Sequence, residues 1–360
     1  MSNHQARELK KYMKPGRLIL PILLGLGVAC WMMFKNFDAS AFKNISFDSS
    51  AWLCLFAAFM MVVIRDAAYM WRISVLTEKG LKLKQCFEVI MLWEFASAIA
   101  PPLLGGGFAF AILILNREKI NLGKSISVIM FTSFLDGMFF ALIGPLVYFG
   151  FGEESLFSNI HSQSTQQIAF GKELSITFWI IYFVVLAYKL FVAYALFINA
   201  RAVKSFLLKI FGWKLLRRWR FHALQTGTEM VIASRELKNK NFAYWFWSFL
   251  ATCISWSARF FIINFIIKAF STVNFDHLLL YSRQVVIGII MIGSPTPGGS
   301  GAAEIMFGNF LGEFIGNASL TSALAILWRL ISYYPYIFVG IIILPRWLAR
   351  VFKTEELADN

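Results

Sequence analysis

Eight ionisable residues fall inside apolar runs of this chain: Arg65, Asp66, Glu94, Asp136, Arg259, Arg283, Glu304 and Arg329. A charge placed in bilayer hydrocarbon is costly, so each such residue marks a pairing or a functional site. Glu94 and Asp136 sit mid-segment, where Arg259 and Arg329 can pair with them structurally. The same residue types also suit a polar cavity in which arginine holds a phosphate and a carboxylate holds an amine. Two breaks accompany the charges: Pro101-Pro102-Leu103-Leu104-Gly105-Gly106-Gly107 and Pro295-Thr296-Pro297-Gly298-Gly299-Ser300-Gly301. Proline stops a helix and glycine permits a reversal. Helices restarting near residues 108 and 302 would present free N–H groups, and two such starts facing one cavity favour an anion such as phosphate. The plainer alternative is that the glycines only allow close helix packing. Glu304, one turn after the second break, also reads as a carboxylate stabilising a helix N-terminus.

The elements that position these residues follow from composition. The 360 residues are 58% hydrophobic and only 15% charged, against about 45–50% and about 25% in soluble domains. An all-α integral membrane protein is the class this implies. The net charge of +14 would suggest nucleic acid in a soluble chain. Here the basic residues belong to membrane-flanking loops, and no nucleic acid partner is expected. Cys30, Cys54, Cys86 and Cys253 show no CxxC, and the four histidines are far apart, so neither a metal site nor a cofactor is expected. No P-loop, GxSxG or GxGxxG occurs, and the longest polar stretch is about forty residues, short of a usual domain. The chain therefore reads as a single polytopic membrane domain, 1–360, and not as an enzyme.

Six apolar segments are long enough to span: 18–34, 51–76, 125–150, 174–198, 242–268 and 318–344. The broken stretches, 86–115 and 277–316, have arms too short for comfortable spans and read as re-entrant hairpins. That topology puts 25 of the 34 Lys and Arg in cytoplasmic pieces, including the ten in the basic loop 201–241. Both termini are then cytoplasmic. Arg72 is counted with the cytoplasmic piece 72–85, while Lys189 and Glu88 read as residues that snorkel from segment ends. Within 201–241 the interleaved aromatic and basic residues suit an amphipathic helix on an anionic leaflet. The order span, span, hairpin, span holds for 18–150 and again for 174–344, and an offset of 194 carries Pro101 onto Pro295 and Gly105 onto Gly299. The halves read as an inverted repeat, the pattern of transporters.

Pro295-Thr-Pro-Gly-Gly-Ser-Gly-Ala-Ala-Glu304, with Trp328-Arg329 through Tyr333-Tyr334 and Gly340, resembles the lysylphosphatidylglycerol synthase transmembrane region, the flippase-like (UPF0104) family. Pro101 to Gly107, Asn121 to Ile126 and the Asp136 segment resemble its first block. The resemblance implies a phospholipid partner, and it carries over Pro295, Pro297, Gly298, Gly299, Gly301, Glu304 and Arg329. In longer relatives this region is joined to an aminoacyl transferase, which this chain lacks. Where the family often has polar groups after the first glycines, this chain has Gly107, Phe108 and Ala111. The resulting expectation is a lipid flippase-like protein of the bacterial inner membrane. Its lipid site would comprise Gly105, Gly106, Gly107, Asp136 and Arg259 together with the carried-over residues. Two rivals stand beside it: a membrane partner for a separately encoded lipid-modifying enzyme, and a small-solute or ion transporter.

Overall fold

The computed structural model describes residues 47–99, 107–157, 165–213, 217–271, 273–293 and 302–356. Every regular element among them is helical. The long helices are α1 (Ser49–Leu76), α4 (Leu122–Phe157), α5 (Thr165–Ala193) and α8 (Phe242–Phe270). The short ones are α2 (Leu83–Ile99), α3 (Phe108–Arg117), α6 (Ala200–Ile210), α7 (Arg220–Leu237), α9 (His277–Met291) and α10 (Ala302–Leu311). The chain ends in α11 (Ala318–Ser332) and α12 (Tyr334–Glu356). Five stretches among the described residues are long and apolar enough to cross a membrane: Ser49–Leu76, Leu122–Phe157, Glu173–Ile198, Phe242–Phe270 and Ser319–Val351. They coincide with five of the six spans read from the sequence. The segment 18–34 lies outside the described residues, as do Gly105, Gly106 and Pro295 to Gly301.

Helices α1 and α8 form a central antiparallel pair. Lys240 meets Glu78 at one end (2.6 Å), Arg72 reaches Thr252 in the middle (3.1 Å), and the rings of Phe47 and Phe270 lie 5.4 Å apart at the other. Small buried residues permit the contact: Ala58 and Ala68 on α1, and Ser248, Ala251, Ser255 and Ala258 on α8. Side-chain caps open both helices, Asp48 accepting from the Ala51 N–H and Asn241 from that of Tyr244.

Each broken region doubles back. Gln85, near the start of α2, donates to Glu118 just past the end of α3 (2.6 Å). Arg283 on α9 donates to the Phe310 carbonyl on α10 (2.8 Å). The arms thus lie side by side with their open ends together. The two hairpins open at opposite ends of α4: Glu118 lies just before its first residue, whereas Arg283 also donates to Ser155 in its last turn (2.6 Å). Gly107 makes the first hairpin tight, because a Cβ there would press within about 3.0 Å of Ala96 and Ser97 on α2.

Two apolar cores result. One surrounds the first hairpin and includes Ile73, Leu92, Leu115, Phe131 and Trp347. The other surrounds the second and includes Ala58, Phe140, Ile266, Leu280 and Phe310. On α4 the boundary falls between Leu135 of the first and Phe139 of the second, and Asp136 stands there. A polar layer separates the cores.

Three sequence expectations need correction. Arg72 is not a loop charge: it is buried on α1, bound to Asp136, because it follows Arg65 and Tyr69 on one helical face. Lys189 does not snorkel. Its stem crosses Gly137 of α4, where a Cβ would collide with it, and Nζ donates to the Ser133 carbonyl (2.7 Å) and Oγ (2.9 Å). Glu88 pairs with Arg350 of α12 at 2.7 Å. That contact belongs to a cluster in which Glu118 also accepts from Trp347 (2.7 Å) and Arg350, fastening the first hairpin to α12. In the stretch 201–241, α6 and α7 form a helical pair, with Val203 buried and Phe206 exposed on α6.

Candidate functional site

Four arginines enter the polar layer, and each meets one carboxylate. Arg65 and Asp66, adjacent on α1, bond at 3.0 Å, and the Tyr336 hydroxyl of α12 donates to both Asp66 oxygens (2.9 and 2.8 Å). Arg72 donates to Asp136 of α4 at 2.6 Å, and the indole N–H of Trp256 donates to the same oxygen at 3.0 Å. Arg329 of α11 donates to Glu304 of α10 at 2.9 Å. Arg259 of α8 faces Glu94 of α2 at 3.4 and 3.5 Å. Aromatic rings cover the guanidiniums: Tyr336 over Arg65 at 4.6 Å, Trp256 over Arg259 at 5.0 Å, and Trp328 and Tyr333 over Arg329 at 5.0 and 4.9 Å. Flat cations on ring faces keep part of their electrostatic stabilisation away from water.

Three cavities adjoin this layer, and Arg259 lines all of them. The first, about 310 Å³, is mostly apolar and lies among α8, α9, α10 and α11, with Gln284, Arg259 and Arg329 as its polar lining. The second, about 250 Å³, is polar and is bounded by Arg65, Glu94, Ser97, Arg329, Ser332 and Tyr336. The third, about 220 Å³, lies on the side of the first hairpin and includes Tyr69, Arg72, Asp136 and Phe108. The second cavity reaches both hairpins, through Ser97 beside Gly107 and through Arg329 bound to Glu304. Tyr333 ties the two sides together by donating to the Ala98 carbonyl at 2.9 Å.

Arg259 is the loosely held member of the set. Its contacts to Glu94 are at the outer limit of hydrogen bonding, and its buried Nε has no hydrogen-bond partner among the described residues. Gln284 is its complement. The Gln284 amide donates to Asn264 (2.7 Å), while its buried Oε1 accepts nothing from the described residues. An unmet donor and an unmet acceptor beside one cavity are what a polar ligand can satisfy.

The sequence pattern of the lysylphosphatidylglycerol synthase transmembrane region matches residues 18–340. The chain belongs to this family. A UPF0104 membrane protein of Archaeoglobus fulgidus is 26% identical over 341 residues, covering 90% of this chain and 95% of that protein. No solved structure matches. The family and the apolar helices together make this a multi-pass membrane protein.

For this member of the lysylphosphatidylglycerol synthase transmembrane-region family, the structure brings Asp136, Arg259, Glu304 and Arg329 into one layer, with Gly107 at its edge. The pairing differs in part from the expected one. Arg259 takes Glu94, but Arg329 takes Glu304 and Asp136 takes Arg72. Arg283 lies apart, bound to Glu313 at 2.7 Å by the open end of the second hairpin. Sequence reasoning did not single out Arg72, Trp256, Gln284 or Tyr336. One available signal was the offset of 194 that aligns the breaks: it also carries Arg65 onto Arg259. These two arginines occupy corresponding places on the antiparallel α1–α8 pair.

Proposed function

We propose that this protein carries a phospholipid between the leaflets of its membrane, its phosphate held by Arg259 between the arms of the two hairpins. The observation that carries the reading is the state of Arg259, which lines three adjoining cavities and is only loosely paired with Glu94. A guanidinium binds phosphate through two parallel hydrogen bonds, and exchanging a distant carboxylate for a phosphate shortens them. Glu94, Asp136 or Glu304 would engage an amine on the head group. The apolar first cavity suits the glycerol and upper acyl carbons. The opposed hairpins, the antiparallel α1–α8 pair and the Arg65–Arg259 correspondence support an inverted repeat of 18–150 and 174–344.

In this reading Gly107, at the start of α3, lies near the phosphate path, and the chain transports without an enzymatic step. The ends bearing Glu78, Lys124, Lys240 and Arg350 face the cytoplasm of a bacterial inner membrane, as the distribution of basic residues favours. The test is the exposure of fluorescent phospholipids in liposomes containing purified protein. Lipid movement above that of empty liposomes, weakened by Glu304→Gln at unchanged expression, supports the reading. Movement no faster than in empty liposomes contradicts it.

A further inference from the structure

Charge balance in the polar layer narrows the substrate class. The four arginines, Arg65, Arg72, Arg259 and Arg329, are matched by Asp66, Asp136, Glu94 and Glu304. The two breaks add no charge, since residues 100–107 and 294–301 contain no Asp, Glu, Lys or Arg. Lys189, bound to Ser133 about one turn before Asp136, stands at the margin of the layer. Among the described residues, these four pairs are therefore neutral before any ligand arrives. A net charge added to matched pairs stays uncompensated by them, and such a charge is disfavoured where it is buried.

The unmet groups say what the ligand must offer. Arg259 Nε is a donor lacking an acceptor, and Gln284 Oε1 is an acceptor lacking a donor; both residues line the first cavity, and both atoms are buried. A phosphate meets the first need, and a head-group N–H or O–H meets the second. If Arg259 turns from Glu94 to a phosphate, Glu94 loses its one ion-pair partner among the described residues, at 3.4 Å. An ammonium on the same ligand replaces that cation, so both halves of the broken pair are compensated at once. An anionic head group supplies the phosphate and leaves Glu94 bare.

We infer that the preferred cargo is a zwitterionic phospholipid whose phosphate and primary ammonium exchange partners with the Arg259–Glu94 pair. This rests on the lipid-carrier reading above. The experiment compares two acyl-labelled probes, phosphatidylethanolamine and phosphatidylglycerol, each at trace level in phosphatidylcholine liposomes containing the full-length protein. The expected result is movement of phosphatidylethanolamine at least tenfold faster than phosphatidylglycerol. Glu94→Gln gives the layer one positive charge, and it should shift that ratio at least tenfold toward phosphatidylglycerol. Should the variant not fold, the wild-type ratio decides alone. Equal rates for the two probes would overturn the inference and leave the carrier reading standing, whereas no movement of either probe would overturn both.

Discussion

Arg259 and Glu94 face each other across 3.4 Å, the longest of the four arginine–carboxylate contacts in the polar layer. The other three lie between 2.6 and 3.0 Å. Arg72–Asp136 and Arg329–Glu304 each tie two helices together, whereas a long pair beside a cavity is easily exchanged. The Arg259–Glu94 pair is thus the most readily exchanged of the four, and the shorter pairs also hold the structure together.

Arg72 belongs to one of these shorter pairs. Arg72→Met would leave Asp136 with only Trp256 among its described hydrogen-bond partners, a carboxylate without its direct ion pair at the boundary between the cores. Breaking a buried pair from one side costs about 3–5 kcal/mol. The detergent-solubilised variant should melt well below wild type, and adding Asp136→Leu should recover part of the loss. A double variant less stable than Arg72→Met would contradict a structural role for the pair.

Gly340 is where α12 meets α2. A Cβ at this position would overlap Phe95, including its own Cβ, and Phe95 is 2% exposed. The neighbour cannot give way by rotating alone. Gly340→Val should therefore lower the yield of folded protein, with over-packing costing about 1–3 kcal/mol. Wild-type thermal stability in that variant would show the contact to be slack.

Glu78 ties the ends of α1, α4 and α8 together through Lys124 (2.5 Å) and Lys240 (2.6 Å). Hydrogen bonds from Lys124 and then Lys240 hold its carboxyl below the usual glutamate range. A depressed folded-state pKa adds stability that is fully present above about pH 4.3 and is lost as the pH falls through the folded value. Glu78 is half exposed, so the gain is small, on the order of 0.2–1 kcal/mol per pair. Glu78→Gln should lower the melting temperature slightly at pH 7 and leave it unchanged near pH 3. An equal difference at both pH values would contradict the ion-pair account.

Five of the six spans and the two helix interruptions were legible because long apolar runs and Pro/Gly clusters have few alternative readings. The positive-inside count also put Glu78, Lys124, Lys240 and Arg350 on one side, and these residues do gather at one end of the bundle. The pairing was legible only in part. Arg259 and Glu94 are 165 positions apart and Arg72 and Asp136 are 64 apart, and helical periodicity says which face a residue occupies but not which helix that face meets. Arg72 was misplaced because it lies near the end of a span, close to the loop lysines. Gln284 gave no signal at all: an amide inside an apolar helix becomes informative only once its oxygen is seen without a partner.

The most direct measurement is lipid movement in liposomes for the Arg259 series, with wild type, Arg259→Lys and Arg259→Gln reconstituted at equal density. The account predicts that lysine, which keeps the charge but loses the two-pronged geometry, slows movement about tenfold. Glutamine should bring it down to the rate of empty liposomes while the protein stays monodisperse. Wild-type movement in Arg259→Gln would contradict the account, because no phosphate would then depend on the arginine that all three cavities share.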